Sequence, residues 1–437
     1  MAVVPQEALG RRDRLGVGAK LYNSGIKIWV KTFGCRVNQA EGDALKAALA
    51  GAGAREAEDF DGADACVINT CTVTGEADRE ALALLRRVAR RNPAARLVVT
   101  GCLAERDPRA VLAAAPHAEV VGHAAKAGIP AMFGCSAAPA GMLAASPAGR
   151  SRAFLKVQDG CNMSCAYCTI PAIRPELSSV PVAELIARVR ALAAAGVPEI
   201  VLCGVRLGRY LRRDDGERVD LAGLIARLLD AAEGFRLRLS SLEVTDASDR
   251  LFALMRSSGG RLCPHLHLPL QSGCDETLRR MRRWYRCEFY RRRADAYRAA
   301  VPEGSLFADV IAGFPGETDA EHERSLSFAR ELGFDGLHVF RYSPRPGTAA
   351  AAWKAPAPAV TRARAEEWRS LDASRRDAHA DRAVGRARVL APALDGREGV
   401  SEDFLTVRVP RGLGRGLTPV RVTAREGGAL VAGPSGS

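Results

Sequence analysis

Short apolar runs and longer amphipathic stretches alternate along the first third of the chain. The runs IKIWV (26–30), ADACVINTC (63–71) and ARLVVTGC (95–102) have the length and the β-branched content of strands. Between them, residues 38–53 and 75–92 repeat apolar side chains at the spacing of one helix face. This alternation predicts a parallel sheet with right-handed crossovers.

The middle of the chain repeats the alternation with more units. One helical segment places its apolar stripe at Val182, Leu185, Ile186, Val189 and Leu192. Six βα units within about 200 residues predict a barrel or partial barrel, with its site at the carboxyl ends of the strands. The six candidate strands are AFLKVQDG, EIVLCGV, RLRLSSLE, HLHLPLQ, LFADVIAGF and GLHVFRYS.

Segments rich in glycine and proline separate these blocks. GCSAAPAGMLAASPAGR has the composition of a linker, and the runs RARVLAP, FLTVRVP and TPVRVTA near the end predict a small β-barrel. The predicted organisation is a flexible tail at 1–25, an α/β domain at 26–138, a linker at 139–150, a barrel at 151–378 and a β-barrel at 379–437.

Charge and composition narrow the class of protein. Apolar residues make up 47% and charged residues 26%, as in ordinary globular proteins. Lys and Arg number 63 against 50 acidic residues, and the net charge of +13 suits a polyanionic partner such as nucleic acid. A genome whose base composition favours arginine codons would give the same excess of basic residues. We find no membrane-spanning run and no secretory signal, so we expect a cytoplasmic location, no membrane partner and reduced cysteines with metal or catalytic roles.

Three cysteines of the first domain follow predicted strands. Cys35, Cys71 and Cys102 each lie just past a strand end, and the carboxyl edge of an open α/β sheet is where ligands bind. We therefore expect these residues to converge in space. Cys66 lies inside a strand and is predicted to be a small core residue.

A second set of cysteines stands close together in the loop DGCNMSCAYC (159–168). Structural zinc normally takes four protein ligands, whereas Cys161, Cys165 and Cys168 have no obvious fourth partner. Three thiolates suit a [4Fe–4S] cluster with one iron left open, and that iron can bind a substrate or cofactor. The spacing favours a cluster over zinc.

Several motifs resemble those of one family. CNMSCAYC, with an aromatic residue before its third cysteine, resembles the signature of radical S-adenosylmethionine (SAM) enzymes. The wider chain resembles the methylthiotransferases of that superfamily, and most closely the branch acting on threonylcarbamoyladenosine (t6A) in tRNA. The motifs that carry this resemblance are KTFGCRVNQAE, VINTCTVT, VVTGCLAERDP, KVQDGCN, CPHLHLPLQSG, DVIAGFPGET and HVFRYSPRPGT.

The resemblance implies a fold and a reaction. It implies a flavodoxin-like first domain, a partial (β/α)6 radical SAM barrel and a C-terminal TRAM module of the OB type. The triplet Cys161, Cys165 and Cys168 would hold a cluster whose open iron chelates SAM and yields a 5′-deoxyadenosyl radical. The triplet Cys35, Cys71 and Cys102 would hold a second [4Fe–4S] cluster that carries the sulfur. The expected partners are the tRNA anticodon loop, a reductant such as flavodoxin or ferredoxin, and an unidentified sulfur donor.

Five further residues are candidate contacts of SAM or substrate. Tyr167 would border the SAM adenine, with plain packing as the alternative. Glu243 and Gln271 lie at strand ends, where polar residues also cap loops. Gly313 and Gly316 would allow close backbone approach to SAM, or only form a tight turn.

Candidate RNA surfaces leave alternatives open. The segment 278–297 is crowded with arginines and aromatics, and suits either tRNA binding or a solvated helix face. Phe404 is the single aromatic of the C-terminal module, which favours backbone contacts by its arginines over base stacking. After Cys168 the loop keeps Arg174 but continues with Pro175 and Glu176, unlike the family. The alternatives are methylthiolation of isopentenyladenosine in tRNA or of a ribosomal-protein aspartate, and a non-catalytic iron–sulfur RNA-binding protein.

Overall fold

The structure is a computed structural model, and it describes residues 25–134, 152–410 and 412–434. The predicted linker at 139–150 lies outside the described residues, as does the predicted tail at 1–25 apart from Gly25. Cys135, to which the sequence assigns no role, also lies outside them. No helix in the described ranges is long and apolar enough to cross a membrane.

The first unit is a five-stranded parallel sheet covered by helices. Its strand order is β2-β1-β3-β4-β5, which is the flavodoxin-like order, and this confirms the predicted fold of the unit. Every residue of β3 is buried, which is typical of a strand in a parallel sheet that helices cover on both faces. The elements are β1 (Lys27–Thr32), α1 (Arg36–Gly51), β2 (Arg55–Glu56), β3 (Ala65–Thr70), α2 (Gly75–Arg91), β4 (Arg96–Gly101), α3 (Cys102–Arg106), α4 (Pro108–Ala114), β5 (Glu119–Val120) and α5 (Ile129–Met132).

The second unit is a partial barrel of six parallel strands. Two sheets, β11-β8-β6-β7 and β12-β13-β14, are joined by a bridge between Leu237 and Leu262 and by the Leu242 N–H, which donates to the carbonyl of His267 at 2.9 Å. The predicted (β/α)6 barrel is thereby confirmed. The six barrel strands are β6 (Arg152–Asp159), β8 (Glu199–Gly204), β11 (Arg236–Leu239), β12 (His265–His267), β13 (Ser305–Ala312) and β14 (Gly336–Arg341). In addition, β7 (Ser178–Ser179) pairs antiparallel with β6, and β9 (Leu211–Asp214) and β10 (Glu217–Asp220) form a separate hairpin. Its helices are α6 (Ile170–Ile173), α7 (Val182–Ala194), α8 (Leu221–Ala231), α9 (Asp249–Ser257), α10 (Asp275–Arg280), α11 (Cys287–Ala300), α12 (Asp319–Leu332) and α13 (Pro358–Ala383).

The third unit is a closed five-stranded barrel, as predicted, although the sequence indicated only three of its strands. Helix α13 runs across the predicted boundary at residue 378, and Ala380 and Ala383 in its last turn join the core of the small barrel. The strands are β15 (Ala387–Pro392), β16 (Glu398–Val400), β17 (Thr406–Arg408), β18 (Thr418–Glu426) and β19 (Ala429–Pro434).

The third unit closes the amino-terminal end of the six-stranded barrel. Arg236 and Arg238 are 1% exposed and donate to backbone carbonyls of the third unit, among them Val400 at 2.7 Å and Ser401 at 2.7 Å. The ring of Phe404 stacks on His265 with the ring centroids 4.7 Å apart. The carboxyl end of the barrel is left for the first unit and for ligands.

Candidate active site

The first cysteine triplet lies at the carboxyl edge of the flavodoxin-like sheet. Cys35 follows β1 and caps α1, Cys71 follows β3, and Cys102 begins α3 directly after β4. Because β1, β3 and β4 are adjacent and parallel, their carboxyl ends meet at one edge. Gly34 has a φ of +90°, and a Cβ on it would lie 2.3 Å from the Cys71 Sγ. A side chain at position 34 would clash with Cys71, so only glycine there allows Cys35 and Cys71 to lie close together.

Burial dominates the electrostatics of Cys71 and Cys102, whereas Cys35 is exposed. Burial raises the pKa of the Cys71 thiol, which also accepts a hydrogen bond from the Val73 N–H at 3.5 Å. The pKa of Cys102 rises to about 11 through burial, and the nearby thiols of Cys71 and Cys35 raise it further while Arg174 lowers it. The mutual repulsion of three thiolates is the situation that a bound metal centre relieves.

The second triplet occupies the loop after β6, at the mouth of the six-stranded barrel. The Cys161 Sγ accepts a hydrogen bond from the Met163 N–H at 3.5 Å, and the Cys165 Sγ accepts one from Arg283 Nη1 at 3.3 Å. The pKa of Cys168 is raised to about 12, chiefly by burial and also by the neighbouring thiols of Cys165 and Cys161. The three thiols therefore form one coupled group.

The distances between the thiol sulfurs indicate whether a triplet matches the site of a single metal ion. Zinc bound by tetrahedral thiolates has Zn–S bonds of about 2.3 Å, which places the sulfurs about 3.8 Å apart. In neither triplet do all three Sγ atoms lie within 4.8 Å of one another, although all six cysteines are among the described residues. None of the six is in a disulfide. Neither triplet therefore has the close sulfur spacing of a single tetrahedral zinc site, and an iron–sulfur cluster held by each triplet stays a prediction.

Arg174 connects the two triplets. Its carbonyl accepts a hydrogen bond from the Cys161 N–H at 3.0 Å, and its guanidinium donates to Asn38 Oδ1 at 3.4 Å. The same Asn38 oxygen lies 3.9 Å from the Cys102 Sγ. Arg174 was noted in the sequence only as the residue that the divergent loop retains.

Glu41 on α1 strengthens this connection across the two units. It accepts hydrogen bonds from Arg174 at 2.7 Å, Lys156 at 2.6 Å and Lys126 at 2.5 Å. Burial alone would raise the pKa of Glu41, but the hydrogen bond from Arg174 and the two lysines hold it well below its usual range. The carboxylate therefore stays charged and fixes the first unit over the barrel mouth.

Arg283 gathers two of the predicted site residues beside the second triplet. It is buried, and it donates to the Cys165 Sγ, to the Tyr167 Oη at 3.5 Å and to Glu243. Burial raises the pKa of Tyr167 and keeps its phenol neutral. Sequence reasoning missed Arg283 because it is one of many arginines in segment 278–297, and its partner Cys165 is 118 positions away.

The other predicted contacts lie in tight turns near the same mouth. Gln271 has a φ of +62°, and its backbone exchanges hydrogen bonds with β13. Gly313 has a φ of +71°, its N–H donates to Glu317 Oε2 at 3.2 Å, and a Cβ on it would lie 2.6 Å from Thr361. Gly316 has a φ of +77°. Turn geometry accounts for these conformations, and contact with SAM stays a prediction for all three residues.

Phe314 places the glycine turn beside the cluster loop. Its ring meets that of Tyr167 edge-on, with the centroids 6.1 Å apart, so both the packing and the cofactor interpretation of Tyr167 remain compatible with its position. Cys66, which the sequence predicts to be a small core residue, is fully buried, and so is Cys203. Cys66 belongs to the core of the first unit, and Cys203 packs against Val37 of α1.

Comparison with known proteins supports the assignment of the units. Residues 27–122 match the family model described as "Uncharacterized protein family UPF0004", and residues 155–329 match the radical SAM superfamily. A threonylcarbamoyladenosine tRNA methylthiotransferase MtaB from Thermotoga maritima is 33% identical over 338 residues, covering 74% of this chain and 76% of the relative. A tRNA-2-methylthio-N(6)-dimethylallyladenosine synthase from Parafrankia sp. is 35% identical, covering 75% of this chain and 70% of that relative.

A solved structure supports the fold. The radical SAM methyltransferase TsrM from Kitasatospora setae, solved with cobalamin and a [4Fe–4S] cluster, superposes with a TM-score of 0.53. The match covers 75% of this chain and 77% of that one at 14% identity. At this level of identity the likeness concerns the architecture alone.

Proposed function

The chain belongs to the radical SAM methylthiotransferase family, and we propose that its reaction is the conversion of t6A at position 37 of tRNA to the 2-methylthio derivative. The family transfers sulfur-containing groups and uses SAM with an iron–sulfur cluster. The pair of cysteine triplets, linked across the domain interface by Arg174, supports the methylthiotransferase chemistry. The choice of t6A as substrate is supported by the MtaB relatives, which are 33–37% identical to this chain.

The six cysteines divide the cofactors between the two units. Cys161, Cys165 and Cys168 would hold one [4Fe–4S] cluster, and Cys35, Cys71 and Cys102 would hold the second. When bound, the first cluster and SAM supply radical chemistry at C2 of the adenine, and the second supplies the methylthio group. Three protein thiols leave one iron of each cluster free for these roles.

The surrounding side chains position these groups. Arg283 donates to the Cys165 Sγ and is itself oriented by Glu243, so a positive charge faces the thiolate ligand at a fixed angle. Arg174 and Glu41 set the separation of the two triplets. Tyr167, Glu243, Gln271, Gly313 and Gly316 complete the proposed SAM side of the mouth.

A basic notch between the first unit and the barrel supports an RNA substrate. The notch has a volume of about 470 Å³, lies at the N-terminus of α2, and is lined by Arg79, Arg341, Arg362 and Arg369. Helix N-termini and arginines both favour phosphate. The net charge of the whole chain, +13, is also positive and therefore also favours a polyanionic substrate. We propose that the notch takes phosphates of the tRNA backbone.

Mass spectrometry of digested tRNA tests reaction and substrate together. The gene is expressed in a host that lacks its own enzyme, and we expect 2-methylthio-t6A to appear. The Cys161→Ala and Cys35→Ala variants should each abolish the product, whereas Cys66→Ala, which removes a buried thiol outside both triplets, should retain it. If only isopentenyladenosine gains the group, the substrate is wrong; if only a ribosomal-protein aspartate does, the RNA proposal is wrong.

Iron analysis of the reconstituted protein tests the two clusters separately. Two [4Fe–4S] clusters give about eight irons per chain, and loss of one triplet should leave about four. The Cys66→Ala variant should keep the wild-type iron content. If Cys35→Ala also keeps it, then the first triplet holds no cluster. Failure of the wild-type protein to cleave SAM under reducing, oxygen-free conditions would favour the non-catalytic alternative.

A further inference from the structure

One large aromatic side chain stands exposed beside the second cysteine triplet. Trp284, in the turn between α10 and α11, is 53% exposed, whereas Tyr285 and Tyr290 nearby are buried. The Arg206 guanidinium lies 5.0 Å from the centroid of the Trp284 ring. Trp284 thus has one face on a cation and presents substantial surface to solvent.

The cation beneath the ring is rigidly held. The Arg206 side chain is 3% exposed and donates to both carboxylate oxygens of Asp246, at 3.0 and 3.2 Å. It also donates to Asn162 Oδ1 at 3.3 Å, and Asn162 directly follows Cys161. The position of the Trp284 ring is therefore tied to the loop that holds the proposed SAM cluster.

The backbone around Trp284 turns its neighbours inward. Arg282 has a φ of +55°, in the left-handed region that a residue other than glycine rarely adopts. On either side of Trp284, Arg283 donates to the Cys165 Sγ and the Tyr285 Oη donates to the carbonyl of Leu270 at 2.8 Å. Backbone strain at a residue other than glycine is often found at binding sites. Here the strained turn buries the side chains of Arg283 and Tyr285 and exposes Trp284 between them.

The surface next to the ring is basic. A groove of about 390 Å³ is lined by Trp284, Arg286 and Arg292, together with Phe289 and the single acid Glu288. Glu288 pairs with Arg292 at 3.1 Å, and both side chains are largely exposed. Among the residues that the structure describes, no carboxylate pairs with Arg286. An exposed indole face bordered by arginines suits an unstacked nucleobase and its phosphate.

We propose that Trp284 is the stacking platform for a nucleobase adjacent to the target adenine, with Arg286 contacting the phosphate of that nucleotide. This inference rests on the proposed function, because it takes the single-stranded loop of a tRNA as the ligand. It assigns the basic segment 278–297 two roles: Arg283 supports the cluster loop from inside, and Trp284 meets RNA from outside.

A fluorescent RNA tests the platform directly. The probe is an anticodon stem-loop RNA with 2-aminopurine next to the target adenosine, added to the reconstituted holoenzyme. Wild-type protein should quench the probe by stacking, and Trp284→Leu should lose the quench and weaken the Kd by about 10-fold. Trp284→Phe, which keeps an aromatic face, should restore binding to within about threefold of wild type. The control Leu112→Ala removes another exposed apolar side chain, 41% exposed and located on α4, and should change nothing.

The outcomes separate this inference from the proposed function. If Trp284→Leu binds and quenches like the wild type while the wild type modifies tRNA, the platform is wrong and the function stands. If Trp284→Phe is as defective as Trp284→Leu, an aromatic face is not what the site needs, and the inference is also wrong. If the wild type neither binds the stem-loop nor modifies tRNA, both the stacking platform and the proposed function are wrong. A rise in KM for the stem-loop that exceeds the change in kcat would match loss of a binding platform.

Discussion

Replacing Glu199 with glutamine tests how the third unit is held to the barrel. The Glu199 carboxylate is 0% exposed, and it accepts hydrogen bonds from Arg236 at 2.7 Å and from Arg238 at 2.8 and 2.9 Å. The same two guanidiniums donate to carbonyls of the third unit. Glu199→Gln keeps the shape of the side chain but removes the carboxylate nearest to both buried guanidiniums, and the only other carboxylate within 4 Å of either among the described residues is Glu402, 3.9 Å from Arg236.

The size of the effect follows from the pKa of the carboxyl. Burial would raise the pKa of Glu199, but Arg238 and Arg236 lower it from 4.5 to about 2. At about 1.36 kcal/mol for each pKa unit, the ion pairs favour the charged carboxylate in the folded state by roughly 3 kcal/mol. Removing one partner of a buried ion pair typically costs about 3–5 kcal/mol, which agrees in order of magnitude.

Urea unfolding followed by circular dichroism measures this cost. We expect Glu199→Gln to lower the free energy of unfolding by roughly 3 kcal/mol at pH 7. The folded-state pKa is lowered, so the stabilisation is fully present above a pH of about 4.5 and is lost as the pH falls toward about 2. The difference between variant and wild type should therefore shrink below a pH of about 4.5.

A matched control lies at the same interface. Glu303 pairs with Arg386 of the third unit, but its side chain is 73% exposed, so Glu303→Gln should cost less than about 1 kcal/mol. The reasoning is refuted if Glu199→Gln is no more destabilising than this control at pH 7. It is also refuted if its deficit persists unchanged at acidic pH.

Two further substitutions probe the packing of the three units. Phe404→Ala removes a ring that stacks on His265 and lies 5.8 Å from the ring centroid of Phe307, and we expect a loss of about 2–4 kcal/mol, seen as a lower melting temperature. An unchanged melting temperature would contradict a stabilising role for the packing of Phe404 against the barrel. Arg345→Ala removes a buried guanidinium that donates to Asp78 at 2.5 Å, and it should speed hydrogen exchange in α2 by freeing the first unit from the barrel. Equal exchange in variant and wild type would show that Arg345 does not fasten this interface.

The fold was largely predictable because it depends on local periodicity. The alternation of apolar runs and helical stripes indicated the parallel sheet and the six-stranded barrel. Several of the elements that the sequence missed have weak patterns: the hairpin β9–β10 is polar and mostly exposed, and β7 has only two residues. The positions of the cysteines after strand ends were also predictable, because they follow directly from the strands themselves.

The partners of single residues were decided by the tertiary structure. Phe404 is a possible RNA contact by composition, but it packs beneath the barrel because a rigid docked unit places it against His265. Within the basic segment, the backbone turn directs the Arg283 side chain inward, where it is buried and donates to Cys165, and leaves the neighbouring Trp284 exposed.

The sequence by itself determined which residues are thiols and where each follows a strand. It did not determine that Arg174 lies between the two triplets, because that contact joins residues 136 positions apart on different units. Hydrophobic periodicity specifies which face of an element is buried, but not which neighbour covers it. A polar network between units forms only when all of its members are brought into hydrogen-bond distance, and the packing of the assembled units fixes those distances.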